Sequence, residues 1–171
     1  MPYPSTPTPD PSPQGGGEKK HRRAMIGARK MASIRKEILT RAQPDDVWDA
    51  LRDIGALHTR LVPGFVTDTR LEPGARIVTF GNGMVVRELI VTVDEGERRV
   101  VWSAVGGSLT HHNGSAQVVS DASGATKVVW IADLLPDEAA GAVGAMMEQG
   151  MAVMKKTLDR LAGEQQGSQI R

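Results

Sequence analysis

Adjacent histidines in THHNGSAQV, residues 110 to 118, could serve as metal ligands or as acid–base groups poised near neutral pH. The stretch reads as a strand, and successive strand side chains point to opposite faces. His111 and His112 therefore do not grip one ion together. Apolar parity runs through Ala116 and Val118, so His112 falls on the inner side with Gly114. His111 is left outside with Asn113, Ser115 and Gln117. No HxxxH or HxxE spacing accompanies the pair, so no metal is expected, and no other cofactor is implied.

Two carboxylates also interrupt apolar strand patterns. In MVVRELIV, Met84, Val86, Glu88 and Ile90 share one face, and Val85, Arg87, Leu89 and Val91 share the other. Each face carries one charge, so periodicity leaves the inner one undecided. Asp133, near the end of TKVVWIADLL, lies with Val129 and Ile131 on one face, while Trp130 and Ala132 lie on the other. A carboxylate turned into an apolar interior needs a partner or is driven toward its neutral form. There is no GxSxG, no phosphate-binding glycine loop and no dinucleotide fingerprint, and Gly81-Asn82-Gly83 suits a hairpin turn.

The elements that must position these groups are legible in outline. Ser33–Thr40 is a short strand. Pro44, Asp45 and Asp46 open a helix that Gly55 stops, with Val47, Leu51 and Ile54 on one face and Trp48 beside them. A second short turn covers Ala56–Arg60 before Pro63-Gly64. Strands then follow over 65–71, 76–80, 84–93, 99–105, 109–119 and 126–135, separated by short turns that imply antiparallel hairpins. Pro136 begins the longest helix and Gly163 ends it. Its stripe is Val143, Met147, Met151, Met154, Leu158 and Leu161. Methionine is an adaptable filler suited to a core or to a cavity wall. The expectation is an α+β domain over 31–163, with one long helix against a curved seven-stranded antiparallel sheet, and a flexible tail over 164–171.

Residues 1–30 differ in kind. They hold six of the ten prolines, three consecutive glycines and six basic against two acidic residues. Such a segment buries too little apolar surface to order itself, so a solvated basic tail, or translation from a mis-assigned start ahead of Met31, is expected. Over the whole chain 21 basic residues meet 20 acidic ones, so no global field favours nucleic acid. The chain has no cysteine and no apolar run of the length a membrane span needs, and the N-terminus lacks a signal-peptide core. A cytoplasmic location is the default.

The order of PDDVWDALRDIGALHTRLVPGF, GNGMVVRELIVTVDEGERRVVWSAVGG, LTHHNGSAQV and VVWIADLLPDE before the terminal helix resembles the START-like, Bet v 1-like (SRPBCC) superfamily. It resembles in particular the polyketide cyclase/dehydrase and lipid-transport group. The middle of the chain is similar to plant abscisic-acid receptors. The resemblance implies a helix-grip fold with a cavity between sheet and long helix, open at one end to a small apolar ligand. It also implies that Glu88 faces that ligand, and that Trp102, with Ala104 on its face, supplies a flat wall. Two features depart from the plant receptors. Their Ser-Gly-Leu-Pro-Ala gate is replaced by Gly81-Asn82-Gly83, and Leu61-Val62-Pro63 lacks their tryptophan.

Three functions are compatible with this reading. The first is binding or carriage of a small hydrophobic molecule, with aromatic and polycyclic compounds as the candidate class. Its candidate contacts are Glu88, Trp102, His112, Asp133, Met147, Met151 and Met154. The second is a metal-independent cyclase or dehydratase in which Glu88 or His112 moves a proton. That needs two of Glu88, His112 and Asp133 to reach one ligand position. The third is an interaction module, including a homodimer, docking through the cavity mouth.

Overall fold

The computed structural model describes residues 31–168; the basic tail of 1–30 and residues 169–171 lie outside the described residues. Strand β1 (Ala32–Thr40) is followed by helix α1 (Pro44–Arg52) and one wide π-type turn, Leu57–Leu61. Six further strands come next: β2 (Val66–Glu72), β3 (Ala75–Phe80), β4 (Val85–Asp94), β5 (Arg99–Val105), β6 (His111–Ser120) and β7 (Thr126–Leu135). Helix α2 (Ala140–Ser168) closes the chain. The seven strands form one antiparallel sheet in the order β1-β7-β6-β5-β4-β3-β2. This is the expected helix-grip arrangement.

Local chemistry explains most boundaries. Pro44 enters the first turn of α1, Asp45 and Asp46 face its positive end, and Arg52 its negative end. Val47, Trp48, Ala50 and Leu51 are its buried face, and the Trp48 indole donates to Glu95 Oε2 at 2.6 Å in the β4–β5 turn. Two expectations for the long helix need correction. Pro136 precedes a 3₁₀ turn, Asp137–Ala139, and the α-helix starts only at Ala140. Nor does Gly163 stop it. That glycine is exposed with open space around it, and a helical glycine costs only about 1 kcal/mol, so the helix continues to Ser168.

The concave face of the sheet holds α2. Along β1 the inner residues Ile34, Lys36, Ile38 and Thr40 alternate with exposed Ser33, Arg35, Glu37 and Leu39. From the helix, Met147, Met151, Met154, Leu158 and Ala162 are buried, a stripe at near-heptad spacing. In β4 the inner set is Val86, Glu88 and Ile90, and Val85, Leu89 and Val91 are exposed on the convex side. A bulge between Ile90 and Thr92 shifts the register, and Val93 packs against the core beyond it.

A polar clamp fixes the C-terminal half of α2 to the end of β1. Asp159 Oδ1 accepts from Thr40 Oγ1 at 2.8 Å and from the Arg41 N–H at 2.9 Å, and Lys155 Nζ lies 2.8 Å from Oδ2. Burial pushes the Asp159 carboxyl up, but Lys155, the Arg41 amide and Thr40 outweigh it and hold it at about 2. A depressed folded-state value contributes stability that is present above the ordinary 3.8 and is lost as pH falls toward 2. Asp159→Asn should therefore cost about 1–2 kcal/mol near neutral pH. Urea titrations should show the gap from the parent protein closing between pH 4 and 2; a gap independent of pH would refute the clamp.

Candidate functional site

A chamber of about 60 Å³ lies between the inner sheet face, the turn Leu57–Leu61 and α2. Most of its wall is apolar. Trp102 and Trp130 stand 6.0 Å apart, ring centre to ring centre, and Leu57, Leu61, Ala116 and Met154 complete the enclosure around them. Two ionisable residues also face it, Arg76 and Glu88. Arg76 Nε donates to Glu88 Oε2 at 2.7 Å, with the two side chains 5% and 9% exposed. The guanidinium carbon lies 5.3 Å from the Trp102 ring centre, a cation–π distance, and Nη1 reaches the Ile54 carbonyl at 3.4 Å. Burying the pair is tolerable because the two charges meet each other and the guanidinium also reaches the Ile54 carbonyl dipole.

Outside the chamber is a groove of about 340 Å³, bordered by Pro63–Phe65, by Phe80–Asn82 and by Met146, Gln149 and Val153 of α2. Phe65 and Phe80 border both spaces. Their rings meet edge to face, 5.5 Å apart at 83°. They form the partition between groove and chamber. The groove alone falls at the low end of the roughly 300–1,000 Å³ of small-molecule sites, and the chamber lies well below it.

Two glycines set how closely the rings pack. A Cβ at Gly114 would stand 2.7 Å from Trp102 Cε2, so the indole lies directly over the backbone of β6. A Cβ at Gly150 would stand 2.9 Å from Phe65 Cε1 and 3.0 Å from Trp130 Cζ3, so α2 offers bare backbone to both rings. Gly114→Ala should force the Trp102 indole aside, lowering stability by about 1–3 kcal/mol and changing the near-ultraviolet circular dichroism. An unchanged spectrum would show that the ring is not held there.

The candidate contacts divide into two groups. Glu88, Trp102 and Met154 line the chamber, and His112, Asp133, Met147 and Met151 do not. His112 is on the inner face, as parity predicts, two positions along β6 from Gly114. Its Nδ1 accepts the Ala104 N–H at 3.2 Å and its carbonyl accepts Ser103 Oγ at 2.5 Å. Burial lowers its ability to hold a proton, opposed by the negative charge of Glu88. The ring therefore serves as a neutral acceptor that ties β6 to β5. His111 is exposed.

The two open registers are settled by strand pairing. Asp133 pairs with Ser33 and Asn113 on the convex side, while Val128, Trp130, Ala132 and Leu134 point inward. Asp133 thus faces away from the chamber. Glu88 faces in, opposite Arg76 across β3 and Ala104 across β5. Met147 and Met151 are fully packed between helix and sheet, to one side of the space that Met154 borders. Sequence reasoning missed Arg76 and the ring pair Phe65 and Phe80, and left the inward turn of Trp130 open. For Arg76 a signal existed, since Arg76, Val78 and Phe80 alternate with one charge on an apolar face, as Glu88 does.

A curved antiparallel sheet gripping a C-terminal helix, with a lined chamber between them, defines the START-like, Bet v 1-like class of ligand-binding folds. Residues 31–165 match the family model for polyketide cyclase / dehydrase and lipid transport, and the chain belongs to that family. No curated protein matches the chain. Among solved structures it resembles an uncharacterised protein of Bacillus thuringiensis, with 17% identity, 75% of this chain and 98% of that one covered, and a TM-score of 0.64. A Thermobifida fusca protein is 26% identical, with 77% and 93% covered and a TM-score of 0.61. Norcoclaurine synthase of Thalictrum flavum, solved with dopamine and hydroxybenzaldehyde, is 20% identical, with 79% and 88% covered and a TM-score of 0.59. Among the described residues no helix is long and apolar enough to cross a membrane.

Proposed function

We propose that this protein binds or carries a small hydrophobic ligand in the chamber between the sheet and α2, entering from the groove beyond Phe65 and Phe80. The observation that carries the reading is the pairing of an apolar, aromatic-walled interior space with an outer groove across a two-ring partition. Apolar walls with a few placed polar groups are the usual make-up of small-molecule sites. Trp102 and Met154 supply contact surface, and the Arg76–Glu88 pair supplies the polar edge.

Acid–base catalysis by Glu88 and His112 has less support. Glu88 is engaged by Arg76, His112 is outside the chamber lining, and Asp133 lies on the opposite face of the sheet. Native mass spectrometry on protein purified from its own host should reveal a retained apolar molecule. Small aromatic hydrocarbons and ketones should raise the melting temperature of the emptied protein. A protein that retains nothing and responds to none of them would overturn the proposal.

A further inference from the structure

The sheet ends in two edge strands, β1 and β2, and they are built differently. A bulge between Val66 and Asp68 interrupts β2, whereas β1 runs along β7 from Ala32 to Thr40 without a register shift. A regular edge is a template for another strand, and bulges are one way of blunting it. On β1 the Leu39 carbonyl accepts from Lys155 Nζ at 2.7 Å, and the Arg41 N–H donates to Asp159 Oδ1 at 2.9 Å. Both partners belong to α2, so these residues turn their backbone groups away from β7. Ser33, Arg35 and Glu37 lie at even steps from Leu39 and share that direction. Their N–H and C=O groups have no hydrogen-bond partner among the described residues. Helix α2 thus closes the edge beyond Ile38 and leaves the stretch before it open.

The open stretch is complementary to itself. In an antiparallel pairing of two copies centred on Lys36, each Arg35 stands opposite Glu37 of the other copy, and each Ile34 opposite Ile38. Opposite charges in facing positions stabilise a strand pair, and like charges weaken it. The neighbouring registers, centred on Arg35 or on Glu37, put that charge opposite its own copy, so one register is favoured over both. Arg35 and Glu37 already meet at 2.9 Å on the exposed outer face, and Lys127 Nζ holds Glu37 from β7 at 3.1 Å. On the inner face Lys36 would meet its own copy on the axis. Glu148 lies 3.2 Å from it and offsets that repulsion. The flank of α2 that carries Glu148 also presents exposed Gly141, Ala145 and Ala152, small residues that leave room for a second helix beside it.

We propose that two copies of this chain associate through β1, joining their sheets about a two-fold axis at Lys36, with reciprocal Arg35–Glu37 pairs fixing the register. The groove at Phe65 and Phe80 borders the β3 end of the strand order, far from this edge, and stays clear of the second copy. Association through β1 is therefore distinct from docking through the cavity mouth, and it does not depend on what the chamber holds.

Sedimentation equilibrium of the full chain, from micromolar to millimolar concentration, should show a monomer–dimer equilibrium. Arg35→Glu and Glu37→Arg should each weaken it about tenfold or more, because each turns two facing pairs from attractive to repulsive. An equimolar mixture of the two variants should associate as tightly as the parent protein, since every facing pair in the mixed dimer is again opposite in charge. The double variant Arg35→Glu/Glu37→Arg should recover self-association for the same reason. Both side chains are exposed, so the variants should melt close to the parent. Amide hydrogen exchange gives a second reading: Arg35 and Glu37 should gain protection as concentration rises, while Lys36, already turned to β7, should not. A parent protein that stays monomeric throughout would overturn the proposal. A dimer unaffected by either single variant, or one that neither the mixture nor the double variant restores, would overturn it as well.

Discussion

Replacing Arg76 with methionine should lower the unfolding free energy by about 3–5 kcal/mol, because it leaves the Glu88 carboxylate buried without its counter-charge. The two side chains are 5% and 9% exposed, so water cannot take over the role of the missing partner without entering the chamber. Glu88→Met should cost a similar amount for the mirror-image reason. Small domains have only about 5–15 kcal/mol of net stability, so either single change takes a large share of it. The double variant, with both residues apolar, should recover most of the loss, since buried ion pairs are often no better than well-packed hydrophobic residues. Urea midpoints of the four proteins test this cycle. A double variant no more stable than the worse single one would mean that the pair is not coupled in the way its 2.7 Å contact implies. The recovered double variant would also separate stability from function, because it removes the only ionisable groups that line the chamber among the described residues while keeping the fold.

Phe80→Ala should have the second largest effect and should act on two properties at once. Phe80 is buried at 9% exposure and meets Phe65 edge to face, so its removal should cost about 3–5 kcal/mol. The same deletion opens the partition and merges the inner chamber with the groove. A two-ring ketone such as 1-tetralone should then bind faster and more tightly relative to acetophenone than it does in the parent protein. Stopped-flow tryptophan fluorescence reads both rates. If stability drops but the relative preference for the larger ketone is unchanged, the two rings are ordinary core packing and entry lies elsewhere.

The distribution of what could and could not be read in the sequence has physical causes. Strand boundaries were legible because turns are punctuated by residues with special backbone needs; Arg99–Val105 and Thr126–Leu135 are found at the expected residues, and the other strands differ by one or two residues at an end. Helix ends were less legible. Pro136 reads as a first-turn residue, yet a 3₁₀ turn precedes the α-helix, and Gly163 reads as a stop, yet nothing around it requires one. Facing was hardest on β4, whose convex side carries Val85, Leu89 and Val91 exposed while the concave side carries a buried glutamate. Alternation alone leaves the side undecided there. Pairing would have resolved it. A hairpin centred on Asn82 places Arg76 across from Glu88 and Val78 across from Val86, as observed. Two opposite charges in matching positions on neighbouring strands mark a shared buried pair. The ring partition had no such signal, since Phe65 lies just outside β2, beside the Val66 that pairs with Phe80, where strand alternation does not fix its direction. His112 showed a different limit: parity gave its face, but not its distance from the chamber.

Gly150 has a consequence that reaches beyond packing. The missing side chain on α2 lets Phe65 and Trp130 settle against the helix, and those two rings bound the chamber on the helix side. Residue 150 is therefore a tuning point for capacity. A methyl group there would displace the partition ring and the Trp130 indole together. The selectivity of the protein could be reset from a position that no ligand needs to touch.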